Sequence, residues 1–175
     1  MNQPDIWTKA QHRLVSAGIW LFLLGLLTGF VIPLMENPRV GLSSHLEGVI
    51  NGIFLLALAA VWRQIGLVGF RHHAALWLAI FAAIANWLAT FLAAIWGTGA
   101  MMPIAAPGRT GAAVHETVVS LLLMSLSLAM VAACIAILSG LIASRRGTAN
   151  QARSATARKA PGDGNGDMAS GRIGP

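Results

Sequence analysis

The sequence predicts an all-α integral membrane protein, a bundle of four helices that each cross the bilayer. Three observations point there. Hydrophobic residues fill 56 % of the 175 positions and charged residues only 10 %, a composition of membrane proteins rather than of soluble domains. Four apolar runs, at about 14–32, 46–62, 74–96 and 118–142, reach the roughly 17–25 residues that cross about 30 Å of hydrocarbon. The basic residues are also segregated. Lys9, Arg13, Arg63, Arg71 and the six beyond residue 144 fall on one side, against Arg39 and Arg109 on the other. By the positive-inside rule both termini are expected in the cytoplasm, as for a multi-pass protein of a bacterial-type inner membrane.

Each element has its own justification. The first run, WLFLLGLLTGFVIP, carries Gly25 and Gly29 four residues apart and stops at Pro33, a small-xxx-small face that admits a neighbouring helix. The second repeats the device with Gly48 and Gly52, after a loop ending in the candidate N-caps Ser43 and Ser44. The third is rich in alanine, with Asn86 near its middle and Trp77, Trp87 and Trp96 along it. GTGAMMPIAAPGRTG then forms a Gly- and Pro-rich loop before a fourth run that begins near His115 and Glu116. Residues 1–143 are read as one membrane domain. From 144 to 175 the chain turns to Gly, Ala, Arg and Ser, and a disordered basic tail is expected because so little apolar surface cannot offset the entropy of ordering.

Several function classes drop out. The net charge of +6 is accounted for by the topology of the basic residues, so no nucleic-acid partner is expected. Cys134 is the only cysteine and cannot form a disulfide within the chain. No P-loop, G-x-S-x-G, CxxC or H-E-x-x-H occurs.

What remains is a set of polar residues inside the apolar runs. At 100° per residue, His45, Gly48 and Gly52 fall within about 60° of one another, and Glu47 and Asn51 share a face roughly 120–160° away. Two readings stand side by side. His45 can be an interfacial histidine, with the glycines serving helix packing and Glu47 offsetting the dipole of a helix start. Alternatively His45 is a ligand, because imidazole is the commonest axial ligand of haem iron and Gly48 and Gly52 leave room for a flat group. Asn51 and Asn86 lie deeper and need partners, each other or a ligand. His115 and Glu116 read more simply as a helix start with favourable charge, and His12, His72 and His73 as solvated.

The block N-P-R-x-G-L-S-x-H-L-x-G-V-x-N-G runs from Asn37 to Gly52. With LFLLGLLTGF, NWLATFLAAIWGTG and MMPIA, it strongly resembles the hydroxylaminobenzene mutases, membrane enzymes of nitroarene degradation. The likeness covers approximately Leu21 to Gly140. A more distant resemblance is to styrene oxide isomerase, which shares the histidine followed six residues later by Asn-Gly. The first resemblance implies conversion of an arylhydroxylamine, hydroxylaminobenzene, to 2-aminophenol by intramolecular hydroxyl transfer. The second implies ferric haem b acting as a Lewis acid, and a homotrimer. Carried over residue by residue, His45 becomes the haem-iron ligand with Gly48 and Gly52 beside the cofactor. Asn51 and Asn86 become polar catalytic positions, and Glu47 either moves a proton or stabilises the helix. Ala83, Ala85 and Ala89 are expected to leave space for an aryl ring. Where the isomerases carry a tyrosine one turn after the helix-three asparagine, this chain has Thr90 and no tyrosine anywhere. That departure favours the mutase over an epoxide isomerase; a non-catalytic b-type haem membrane protein stands as a further alternative.

Overall fold

A computed structural model describes residues 8–159. Among them every regular element is helical: α1 Lys9–Val31, α2 Pro38–Val61, α3 Gly69–Trp96 and α4 Ala113–Lys159. All four are long and apolar enough to cross a membrane, and the chain is a multi-pass membrane protein.

Side-chain capping and turn chemistry set the boundaries. Thr8 opens α1 with a capping box, its hydroxyl accepting from the Gln11 amide while the Gln11 side chain accepts from the Thr8 amide. The same Gln11 donates to the Ala59 carbonyl at 3.0 Å, which ties the start of α1 to the end of α2. A 3₁₀ turn through Pro33 closes α1. Helix α2 then starts earlier than the serines suggested. Asn37 is its N-cap, accepting from the Val40 amide, and Pro38 occupies the first turn, where its missing N–H costs nothing. At the other end of the fold, Gly97 terminates α3 with φ +64°, a left-handed conformation that glycine takes without a Cβ clash.

Helix α4 passes the expected boundary at 142 and continues to Lys159. Ala, Arg, Gln and Lys dominate the added stretch and propagate a helix well. The rest of the expected tail, 160–175, lies outside the described residues.

The helices pack in chain order, with α1 closely on α2, α2 on α3 and α3 on α4. Helix α3 is the most enclosed. Ala75, Ala79, Ala82, Ala83, Ala85 and Ala89 are all buried in it, so the small side chains admit neighbouring helices. Ala85 and Ala89 face Leu126 of α4. The room expected there for an aryl ring is therefore filled by helix packing. Large apolar side chains such as Trp20, Phe30, Ile50 and Leu128 point outward, as a lipid-facing surface requires.

Candidate functional site

The N-cap at Asn37 moves the polar residues inward. His45 and Glu47 lie about two turns or more inside α2. Glu47 therefore cannot act at the helix start, since the dipole effect falls off within the first turn.

His45 faces α1. Its Nδ1 lies 2.7 Å from the Gly25 carbonyl oxygen, and because a carbonyl only accepts, Nδ1 carries the proton. In the neutral ring that leaves the Nε2 lone pair free, the arrangement by which a backbone carbonyl orients a metal-binding histidine. Gly29 makes the approach possible, since a Cβ there would sit 3.1 Å from Nδ1.

Gly48 and Gly52 do not form an open ligand face. A Cβ on Gly48 would fall 2.5 Å from the Gly25 Cα, and one on Gly52 would fall 2.7 Å from the Phe22 amide nitrogen. Both are buried under α1, where they bring two backbones into contact and so fix the height at which His45 meets Gly25.

Glu47 faces the other way, toward α3. The Thr90 hydroxyl donates to its Oε2 at 2.7 Å, and also lies 3.0 Å from the Asn86 carbonyl and 3.1 Å from the Trp87 carbonyl. Glu47 Oε1 makes no hydrogen bond within the described residues. Because α2 and α3 run antiparallel, this contact brings Asn51 and Asn86, each one turn further along, to the same level of the seam. They do not bond to each other. Asn51 Nδ2 is buried without a partner, an omission that costs about 1–3 kcal/mol when nothing compensates it.

Trp87 holds the two seams together. Its indole N–H donates to Thr28 of α1 at 3.0 Å, while its carbonyl accepts from Ser44 of α2 at 3.2 Å. The result is two half-sites on α2. His45 lies on one flank of the exposed ridge formed by Leu42, Leu46 and Ile50, and Glu47 on the other. One chain brings Glu47 and Thr90 into contact, with Asn51 and Asn86 one turn along the same seam; it does not bring His45 to them.

Among the described residues no three His, Cys, Asp or Glu converge to hold a bare metal ion. A single imidazole with a free Nε2 suits instead an iron whose equatorial positions a porphyrin already fills.

The sequence profile of the styrene oxide isomerase family matches residues 10–142. The chain belongs to the styrene oxide isomerase family. It is 53 % identical over 142 residues to hydroxylaminobenzene mutase HabB of Ectopseudomonas oleovorans, covering 81 % of this chain and 87 % of the relative. Hydroxylaminobenzene mutase HabA of the same organism is 43 % identical over 133 residues, covering 75 % of this chain and 98 % of the relative. No solved structure gives a significant match. As a member of the styrene oxide isomerase family with mutase relatives, the chain is an enzyme of the isomerase class.

Sequence reasoning missed three residues that build the site. Thr90 registered only as a missing tyrosine, although a hydroxyl four residues after Asn86 shares its face. Thr28 and Ser44 were passed over or taken for helix ends. Glu116, read as a helix-start charge, also accepts from the Gly99, Ala100 and Gly111 amides at 2.8–3.1 Å. It thereby fastens the 97–112 loop, while His115 stacks on Trp96 with centroids 4.2 Å apart.

Proposed function

We propose that this protein is a hydroxylaminobenzene mutase, isomerising an arylhydroxylamine to a 2-aminophenol by moving the hydroxyl from nitrogen to the ortho carbon. The observation that carries the reading is the buried Asn51 amide without a partner, one turn from a carboxylate held by Thr90. A polar group left unsatisfied inside an apolar span is a place for a ligand that accepts hydrogen bonds. The mutase names of the two relatives supply the reaction class.

The reaction is redox-neutral. The N–O bond breaks, a C–O bond forms at the ortho carbon, and the proton leaving that carbon is matched by one gained at nitrogen. Asn51 Nδ2 donates to the substrate oxygen, and Asn86 orients the N–H from across the seam. Glu47 Oε1, unengaged by Thr90, holds the proton that is exchanged. The apolar wall of lipid-embedded helices keeps bulk water from the para carbon.

His45 is the residue that would hold ferric haem b, through Nε2. When bound, the haem supplies a Lewis acid for the substrate oxygen without changing the net oxidation level. His45 and Glu47 flank opposite sides of one exposed ridge, so a complete site needs a surface laid over that ridge. We therefore read the protein as a homo-oligomer, the trimer that the distant resemblance suggests, with both termini in the cytoplasm of an inner membrane.

The deciding experiment gives hydroxylaminobenzene to the purified protein in detergent, without added reductant. The expected product is 2-aminophenol with little 4-aminophenol. No conversion by folded protein would refute the mutase reading and make styrene oxide the next substrate. For the cofactor, His45→Ala should abolish the haem absorbance of reconstituted protein together with turnover. Full turnover in that variant would remove haem from the reaction.

A further inference from the structure

A groove between α1 and α3 lies away from both half-sites. Its trough, about 370 Å³, is walled by Trp20, Leu21, Leu24, Trp77, Ile80 and Ile84, with Arg13 and Ser16 also lining it. A second hollow of about 320 Å³ shares Arg13 and continues to Lys9, His72 and His73. The two helices touch only lightly, which leaves the trough open along its length.

Three features identify the occupant. First, the mouth is cationic, with no acidic residue beside it among those described. Lys9 and Arg13 stand one turn apart, and the acidic residues among those described, Glu36, Glu47 and Glu116, all belong to the opposite half of the helices. Second, Arg13 is held in place. Its guanidinium carbon sits 5.4 Å from the centroid of the Trp77 ring, a cation–π contact that anchors the group while leaving N–H donors for phosphate oxygens. Third, the depth is right. From Arg13 to Leu24 the trough follows α1 for eleven residues, about 16 Å at ~1.5 Å per residue, and half of a ~30 Å hydrocarbon core is about 15 Å.

We propose that this groove binds one anionic glycerophospholipid, with the phosphate at Lys9 and Arg13 and an acyl chain lying down the trough. A second copy of the chain fits less well, because an apolar helix would leave the two cations facing it without a counter-charge. A lipid brings the negative charge and the apolar tail in the order the groove presents them.

Native mass spectrometry of the full chain in detergent tests this, after exposure to equal amounts of phosphatidylglycerol and phosphatidylcholine. The expected result is one phosphatidylglycerol retained per chain, preferred by about tenfold or more, as two basic residues near a surface provide. Arg13→Gln should remove that preference. Arg145→Gln with Arg146→Gln, which removes two charges from the same end but outside the groove, should leave it intact. Ile84→Trp, which fills the trough without altering charge, should cut retention of both lipids, with circular dichroism confirming the helical fold. Equal retention of the two lipids, equal losses from both charge-removal variants, or unchanged retention by Ile84→Trp would each overturn the proposal. Retention of neither lipid would overturn it too, and cross-linking between copies through Trp20→Cys would then assign the groove to a second chain.

Discussion

Helix α2 has two seams, and they are built on opposite rules. Against α1 it presents Gly48 and Gly52 to Gly18, Phe22 and Gly25, so that backbone meets backbone. Against α3 it presents Ser44, Glu47 and Asn51, where one hydroxyl serves several acceptors and one amide nitrogen serves none. At its glycines the first seam is finished when the chain folds, with the His45 Nε2 left open at its edge. The second is finished only when something binds. Close packing sets a histidine ring to within tenths of an ångström, whereas an incomplete hydrogen-bond set keeps capacity for a ligand.

The comparison breaks most severely at the glycine seam. Gly48→Ala would place a methyl group 2.5 Å from the Gly25 Cα and 2.9 Å from Trp87 Cδ1. The backbone cannot step aside, and the partly buried Trp87 ring is held by its hydrogen bond to Thr28, so the helices must separate. Overpacking of this kind costs typically 1–3 kcal/mol and sometimes more, and the upper end is expected here. Thermal unfolding in detergent should show a large fall in Tm, matched by Gly25→Ala, whose methyl would fall 2.5 Å from the Val49 amide nitrogen across the same seam. A Tm equal to that of the parent would mean that the seam is looser than its geometry implies.

The polar seam should respond with the opposite sign. Asn51→Leu removes the unpartnered amide and substitutes a better helix former of similar size. Deleting an unsatisfied buried donor should return up to about 1–3 kcal/mol, so the variant should melt higher while losing rate or ortho selectivity. Stability and activity moving apart would mark Asn51 as a residue kept for its ligand. If the variant melted lower, the amide would have a structural partner and the seam would be no different in kind from the first.

These two seams were not equally legible in the sequence. The four helices followed from apolar length, and the glycine spacing announced close packing, because both are periodic signals carried by many residues. Which face the glycines served was not legible. An open face for a flat ligand and a face for α1 give the same pattern, and only the Gly25–Gly48 contact separates them. The start of α2 was misplaced because Ser43 and Ser44 are good caps in isolation. Asn37 followed by Pro38 is a stronger start, and it changed the meaning of Glu47 from a helix-end charge to a group deep in the span. The polar residues themselves were visible, since polar side chains in apolar runs are rare. Their grouping was not: the Glu47–Thr90 contact joins residues 43 positions apart, and no local pattern encodes that pairing.

The finest test concerns Thr90 alone. Its hydroxyl is the one donor the structure gives to Glu47, and the same oxygen lies within hydrogen-bond distance of two α3 carbonyls. Thr90→Val preserves shape and removes the hydroxyl; the carbonyls keep their helical partners, so the fold should change little. Glu47 loses its one side-chain hydrogen bond among the described residues. An intramolecular hydrogen bond is worth about 0.5–1.5 kcal/mol, and a loss near the upper end, expressed in the transition state, corresponds to roughly tenfold in rate. Thr90→Ser keeps the oxygen and should recover most of kcat. A general packing role predicts another order, because serine leaves a small void where the methyl was and valine does not. If valine keeps the rate and serine loses it, Thr90 fills space, and the second seam loses the group that positions its carboxylate.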